Sequence, residues 1–418
     1  LTELILLSLI YFSASISIIN FSGIVFFFAL YSFIGYVIGK YELLWPTNPK
    51  SFLNFARKYT FLFILNNCLQ LFYFIFNYSI FDYFEIFKFY VLFLGFNFLI
   101  HLSLLLILRN KYQDLIWLYF INNESKIEID KYIARYNNIN LRKIKFLNIN
   151  ELNNINLQDV EGICFENDFS EKDNNLAKTI LNNKIKKLHI IDWSNYFLEL
   201  LPINFLNKNY IKNHILRKKV KRIYPFVKRL GDIFASASLL IFTLPLMLLV
   251  SILIKLEDGG PIFYFQKRTG YKEKIFYIYK FRSMKVDAEN NGIQWSTRSD
   301  SRITNIGKII RLTRIDELPQ LISVIKGEMS LIGPRPERPE INEILFKETY
   351  IYKYRYLIKP GLSGWAQVNY NYAASMEESK NKLGYDMYYL RNSSFLLDIL
   401  IIFKTIKIIF NLKGALPN

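Results

Sequence analysis

Long apolar runs dominate the first quarter of the chain, at about 4–19, 22–39, 59–77 and 84–108. Each approaches the ~20 residues a helix needs to cross the hydrocarbon core of a bilayer, so the pattern predicts an N-terminal bundle of four spanning helices within residues 1–111. No small-residue cleavage site leading into a soluble domain follows the first run, which argues against a signal peptide; the sequence opens on Leu1 rather than Met, leaving a processed or incomplete start open. Lys40, Lys50, Arg57 and Lys58 lie in the second connection and Arg109 and Lys111 follow the fourth run, whereas the links near Asn20 and Phe81 carry no Lys or Arg. Basic residues favour the cytoplasmic side, so both ends of this bundle are expected there.

The pattern changes over residues 112–216, which are polar and rich in Asn, Lys and Glu. Short apolar stretches at Leu115–Ile121, Ile144–Leu147, Gly162–Phe165 and Leu188–Ile191 alternate with helical or loop-like segments, predicting a small α/β domain. No glycine fingerprint follows the first strand, where Phe120-Ile121-Asn122-Asn123 stands, so dinucleotide binding is not expected. A basic cluster of Arg217, Lys218, Lys219, Lys221, Arg222, Lys228 and Arg229 then leads into the apolar stretch Ile233–Ile254. Pro245 falls midway, where it removes a helical hydrogen bond and kinks the chain, and Lys255, Lys267 and Arg268 put positive charge on the far flank as well. Charge on both flanks predicts a re-entrant helix that enters and leaves one leaflet rather than a fifth span. Beyond it, Ile262–Gln266 reads as a strand. Ser394–Phe410 reads as an apolar helix interrupted by Asp398, Lys404 and Lys407, which packs on the domain or lies at the interface.

Composition narrows the partners. Of 418 residues, 52% are hydrophobic and 17% aromatic, high for a soluble protein, and the formal net charge is +18. Those cations suit lipid headgroups or phosphorylated substrates; no basic face interleaved with stacking aromatics appears outside the apolar segments, so nucleic acid is not an expected partner. Cys68 and Cys164 are too isolated to imply a disulfide framework or a zinc site.

Chemistry concentrates in Thr313–Glu340, TRIDELPQLISVIKGEMSLIGPRPERPE. Ile315, Leu318, Ile322 and Ile325 recur at helical spacing, Gly327 supplies a stop, and Pro319 is tolerated only near a first turn. Asp316 and Glu317 are therefore expected at a helix start, a position that suits phosphate, with Arg311 and Arg314 beside them; simple N-capping is the alternative reading. In Gly333-Pro334-Arg335-Pro336 two prolines fix the backbone on either side of one guanidinium, as an anion contact requires. The histidines His101, His189 and His214 all lie elsewhere, which argues against histidine acid–base chemistry.

DELPQL, KGEMSLIGPRP and their spacing resemble the bacterial sugar transferase family, the large monotopic polyprenyl-phosphate phosphoglycosyl transferases. Lys280-Phe281-Arg282-Ser283-Met284 and Lys359–Val368 fit the same pattern, and the similarity runs from Asp258 to the C-terminus. The resemblance implies a membrane protein with a degenerate Rossmann-like α/β domain at 112–216 and an α/β monotopic catalytic domain at 217–418, its re-entrant helix spanning about 233–254 with the kink at Pro245. Family members often carry Ser before that proline; here it is Leu244. The implied reaction moves a sugar 1-phosphate from a UDP-sugar to undecaprenyl phosphate and releases UMP, priming exopolysaccharide or related glycan assembly. Asp316 would be the nucleophile, and Glu317 would hold Mg2+ or the dyad geometry, with both as the metal ligands. Lys280 and Arg282 would line the site, Arg311 and Lys280 would neutralise the diphosphate, and Arg335 between Pro334 and Pro336 would contact the uridine nucleotide. Mg2+ is the expected ion because a hard cation prefers oxygen ligands and bridges phosphates. The implied location is the bacterial cytoplasmic membrane with the catalytic domain on its cytoplasmic face; the partners are UDP-sugar, undecaprenyl phosphate and membrane lipid, with a homo-oligomer left open. A catalytically silent membrane scaffold or nucleotide sensor with the same cleft is the alternative.

Overall fold

A computed structural model describes residues 115–410, with gaps at 122, 140–143, 149–159, 167–185, 217–222, 287, 289–299 and 371–375, together with isolated positions 36, 95, 99 and 103. Apart from those isolated positions, the four N-terminal runs expected to span a membrane lie outside the described residues, as do the basic residues of 217–222. The chain divides into two compact units, Leu1–Ile163 with Ser170–Lys187 and Cys164–Phe169 with Leu188–Asn418.

A four-stranded sheet of order β2-β1-β3-β4 is formed by β1 (Leu115–Phe120), β2 (Ile144–Asn148), β3 (Val160–Phe165) and β4 (Lys186–His189). Helix α1 (Asn123–Ile139) makes the crossover that lets β1 and β2 run parallel, with Leu115 opposite Ile144. Consecutive residues Trp117, Leu118 and Tyr119 are all buried, so β1 is covered on both faces and reads as an unbroken apolar run. Gly162 permits that packing, because a Cβ there would lie 2.5 Å from the Trp117 ring. The fourth apolar stretch divides differently from expectation. The strand ends at His189 and helix α2 (Ile190–Phe197) begins at once, its start satisfied by His189 Nδ1 accepting the Ile191 amide at 3.3 Å.

The second unit opens its main body with α3 (Ile223–Asp258), a 36-residue helix about 54 Å long. It is the one helix among the described residues long and apolar enough to cross a membrane, with a mean hydropathy of 2.6 over its most apolar window. Phe234, Ile241, Phe242 and Leu256 are each more than 70% exposed along it. Leaving such side chains in water forfeits roughly 1.5–3 kcal/mol each, a total comparable to the net stability of a domain.

Both ends of α3 are nevertheless tied to the same unit. Near its start, Arg229 donates to the carbonyls of Val324 at 2.6 Å and Ile325 at 2.8 Å, and Asp232 accepts the Leu331 amide at 3.1 Å. Near its end, Val250 and Ile254 join Phe281 and Ile310 in one buried cluster, and Glu257 accepts the Asn305 amide at 2.7 Å. Pro245 sits between these anchors within a continuous helix.

Strands β5 (Phe263–Thr269) and β6 (Ile275–Phe281) form an antiparallel hairpin with Tyr264 opposite Lys280. After it come α4 (Asn305–Leu312), a 3-10 helix at Ile315–Gln320, α5 (Leu321–Lys326) and β7 (Ser330–Ile332). Helix α6 (Pro339–Glu348), a second 3-10 helix at Tyr350–Leu357, β8 (Gly361–Ser363) parallel to β7, α7 (Trp365–Asn369), α8 (Met376–Asn392) and α9 (Phe395–Phe410) complete the unit. The segment from α2 to Leu216 packs on this body. Leu201 donates its amide to Gly384 at 3.0 Å, Trp365 Nε1 donates to the Glu199 carbonyl at 2.9 Å, and Arg391 pairs with Asp192 at 2.8 Å.

Candidate active site

Three elements bring charge to one place: the end of β6 carries Lys280, the 3-10 helix carries Asp316 and Glu317, and the loop after β7 carries Arg335. The approach to the dyad turns on Arg314, whose φ of 57° and ψ of 19° are left-handed, a conformation costing a non-glycine residue about 1 kcal/mol or more. Arg314 therefore occupies the N-cap position without a side-chain capping bond, and Asp316 and Glu317 lie in the first turn instead of capping it. One helix was expected through Ile325; the chain instead forms a 3-10 turn and then α5 from Leu321. Pro319 has no N–H to donate to the preceding turn, so the α pattern starts only after it. Gly327 ends α5 with φ of 89°, the stop its position predicts. Ile315 packs against the Val250–Phe281 cluster, which fixes the dyad beside the C-terminal end of α3.

The two carboxylates are both buried and have opposite surroundings. Glu317 Oε1 accepts from Lys280 Nζ at 3.0 Å and from Arg335 Nη2 at 2.8 Å, while Oε2 accepts from Arg314 Nη1 at 3.3 Å. Burial pushes the Glu317 carboxyl up, but Arg335, Lys280 and Arg314 together outweigh it and hold the group well below the usual range. Asp316 ends on the other side of the balance. Burial dominates, Lys280 opposes it, the neighbouring Glu317 charge reinforces it, and the carboxyl is raised to about 6. Burial lowers the Lys280 amine from its ordinary value against the pull of Glu317. At neutral pH the site holds a fully neutralised glutamate beside an aspartate that ionises at a cost, the condition of a reactive carboxylate.

The structure brings Lys280, Arg335, Asp316 and Glu317 together. Arg311 is buried and its charge acts on Asp316 and on Asp300. Arg282 points elsewhere: it is buried and forms an ion pair with Asp258, tying the end of β6 to the turn where α3 finishes. The prolines flanking Arg335 enter through their main chain, since the Pro334 carbonyl accepts the Gly361 amide at 2.9 Å and the Pro336 carbonyl accepts from Arg268 Nη1 at 2.9 Å. Pro245 lies exposed in α3 and takes no part in the dyad's ion pairs. Arg268, Arg355 and Asp386 belong to the surroundings of this loop and carried no local motif that could have marked them.

Among the described residues no group of three or more His, Cys, Asp or Glu side chains forms a metal cluster. Mg2+ takes one or two protein carboxylates and fills its shell with substrate phosphate oxygens and water; here Asp316 and Glu317 are the adjacent carboxylates that would serve, and it would share the Glu317 oxygens with Lys280, Arg335 and Arg314.

Comparison with known proteins adds the following. Residues 223–412 match the family described as bacterial sugar transferase. The chain is 47% identical over 193 residues to the UDP-N-acetylgalactosamine-undecaprenyl-phosphate N-acetylgalactosaminephosphotransferase of Aeromonas hydrophila, covering 46% of each chain. It is 40% identical over 186 residues to the undecaprenyl-phosphate glucose phosphotransferase of Komagataeibacter xylinus, covering 43% of this chain and 35% of that one. A 38% identity over 186 residues, 43% of this chain, covers 93% of the exopolysaccharide production protein PSS of Rhizobium leguminosarum bv. phaseoli. The match therefore spans less than half the length of the first two relatives.

Proposed function

The chain belongs to the bacterial sugar transferase family, and from that premise we propose that it transfers a sugar 1-phosphate from a UDP-sugar to undecaprenyl phosphate. The observation that carries this reading is the inequality of the two buried carboxylates. Glu317 is held ionised by three cations, while Asp316 is raised to about 6 beside them. A carboxylate in that state can attack phosphorus, because negative charge passing to the diphosphate meets fixed positive charge that costs no reorganisation.

In the proposed sequence the Asp316 carboxylate oxygen attacks the phosphorus bonded to the sugar. The phosphoanhydride bond breaks, UMP leaves with the bonding electron pair, and the sugar phosphate is held as an acyl phosphate. An oxygen of polyprenyl phosphate then attacks the same phosphorus, restoring the carboxylate and giving polyprenyl diphosphate sugar. The acceptor is already an oxyanion, so no base is needed, in keeping with the absence of histidine from Thr313–Glu340. Lys280 and Arg335 neutralise the diphosphate and Arg335 orients the nucleotide, while Arg311 adds positive charge near Asp316. Asp316 and Glu317 would hold Mg2+, which would supply additional neutralisation of the diphosphate.

The membrane arrangement belongs to the same proposal. Attachment of both ends of α3 to one unit supports a re-entrant helix, since a helix crossing the bilayer would carry its ends to opposite faces. The exposed apolar middle of α3 then meets lipid, with the polyprenyl substrate reaching Asp316 past Ile315 from the cytoplasmic face of the inner membrane. The four-stranded sheet serves as a Rossmann-like domain without a nucleotide fingerprint, following the four apolar N-terminal runs.

The test is release of UMP from a panel of UDP-sugars in the presence of polyprenyl phosphate, including UDP-N-acetylgalactosamine and UDP-glucose. With donor labelled in the sugar-linked phosphate and no acceptor, label should accumulate on Asp316 and be discharged by added polyprenyl phosphate. Turnover without labelled protein would overturn the covalent step.

A further inference from the structure

The loop that carries Arg335 is held from outside by a buried pair that contributes nothing directly to the dyad. Arg355, in the 3-10 helix Tyr350–Leu357, directs Nη2 to the Arg335 carbonyl at 2.8 Å and to Asp386 Oδ2 at 2.9 Å. Both partners of this ion pair are almost fully buried, with side-chain exposures of 2% and 3%. The guanidinium also lies over the Tyr352 ring, 4.7 Å from its centroid, and hydrogen-bonds the Tyr352 hydroxyl. One residue on, the Pro336 carbonyl is taken by Arg268, and the Glu337 carbonyl accepts the Thr269 amide at 3.0 Å. On the opposite side Gly333 lies so close to Lys359–Gly361 that a Cβ on it would come within 2.4 Å of the Lys359 carbonyl. The backbone that presents Arg335 is therefore fixed on both sides, which sets the origin from which its guanidinium reaches Glu317 at 2.8 Å.

We propose that Arg355, locked by Asp386, is a positioning residue that sets the Arg335 guanidinium for the nucleotide diphosphate. The role assigned to Arg335 rests on the transferase reading; the clamp itself rests on the contacts. A buried guanidinium is suited to this task because its planar fork can serve a carbonyl and a carboxylate together, whereas lysine is a point charge without that geometry. With Arg335 loosened the chain would still fold, but its guanidinium would have to be ordered when the donor binds, and that ordering weakens donor binding.

The test is Arg355→Lys in the full-length protein, with Asp386→Asn as a second variant should the first fail to fold. Steady-state kinetics with the best UDP-sugar should give a KM for donor raised about tenfold, with kcat and the KM for polyprenyl phosphate near wild type. A merely structural role would instead lower kcat by reducing the active fraction and leave the donor KM unchanged. On an Arg335→Ala background the same substitution should add nothing further to the donor KM; additive losses would overturn the proposal. Hydrogen exchange decides the clamp independently of activity: amides in residues 333–338 should exchange roughly tenfold faster in Arg355→Lys, with the remainder of the unit unchanged. Unchanged exchange there refutes the clamp. Absence of UMP release by wild-type protein, with exchange altered as stated, would refute the transferase reading and leave the clamp standing.

Discussion

Two of the buried carboxylate clusters described in the second unit differ in how each balances charge. At the foot of α3, Asp398 accepts from Lys228 at 2.7 Å, from Tyr224 at 2.8 Å and from Tyr389 at 2.6 Å, so one charge is met by one cation and two hydroxyls. At the dyad two carboxylates share one pocket, and Glu317 takes the direct ion pairs with Lys280, Arg314 and Arg335 while Asp316 is raised to about 6. The first arrangement joins α3 to α8 and α9 and holds the base of the apolar helix in place. The second keeps one carboxylate in an unfavourable ionised state. A closed cluster stabilises; a cluster left unequal is able to react.

The largest expected effect that would break this contrast is on turnover. Asp316→Asn should lower UMP release on the order of 10⁴-fold or more, the scale for removing a nucleophile. It should do so without loss of stability. Because the folded-state value of Asp316 lies above its ordinary 3.8, its contribution to stability is present below that pH and is lost as pH rises through about 6. Above pH 6 the ionised side chain burdens the fold, and the asparagine variant should unfold thermally at the same temperature as wild type or higher. Near-normal turnover by this variant would remove Asp316 from the chemistry.

The matching substitution in the closed cluster should behave in the opposite way. Asp398→Asn keeps hydrogen-bonding atoms but strips Lys228 of its counter-charge, at a cost of about 3 kcal/mol. Thermal unfolding should report that loss, while turnover per folded molecule stays near wild type. A stable Asp398→Asn protein with lost turnover would make the two clusters functionally alike.

A pH profile sharpens the distinction further. UMP release should fall about tenfold per pH unit well below 6, as Asp316 takes up a proton, and should level off above it. A flat profile between pH 5 and 7, read as kcat/KM for the donor, would contradict a nucleophile that ionises near 6. The smallest effect is expected at the pair of Asp192 and Arg391, whose carboxylate side chain is 39% exposed. There Asp192→Asn should cost less than about 1 kcal/mol in thermal unfolding, because solvent already screens the pair.

The sequence by itself determined the elements whose cause is local. The apolar run Ile233–Ile254 is too long for a strand and no charged residue interrupts it, so it forms a helix, and Gly327 stops α5 because a left-handed residue is needed there. The adjacency of Asp316 and Glu317, and the rigid Pro-Arg-Pro turn, are likewise written in neighbouring residues. Local pattern placed Ile190 and Ile191 in a strand, however, and overlooked that His189 could cap a helix at that point. Tertiary structure alone decided which cations serve which acid. Lys280 reaches Glu317 across 37 positions and Arg335 across 18, whereas Arg282, two residues from Lys280, turns to Asp258. Arg355 meets Asp386 across 31 positions, and Lys228 meets Asp398 across 170. Helical and strand periodicity is set by the backbone within a few residues, but the partner of a buried charge is chosen by whatever packing brings within about 3 Å of it, and no spacing along the chain encodes that distance.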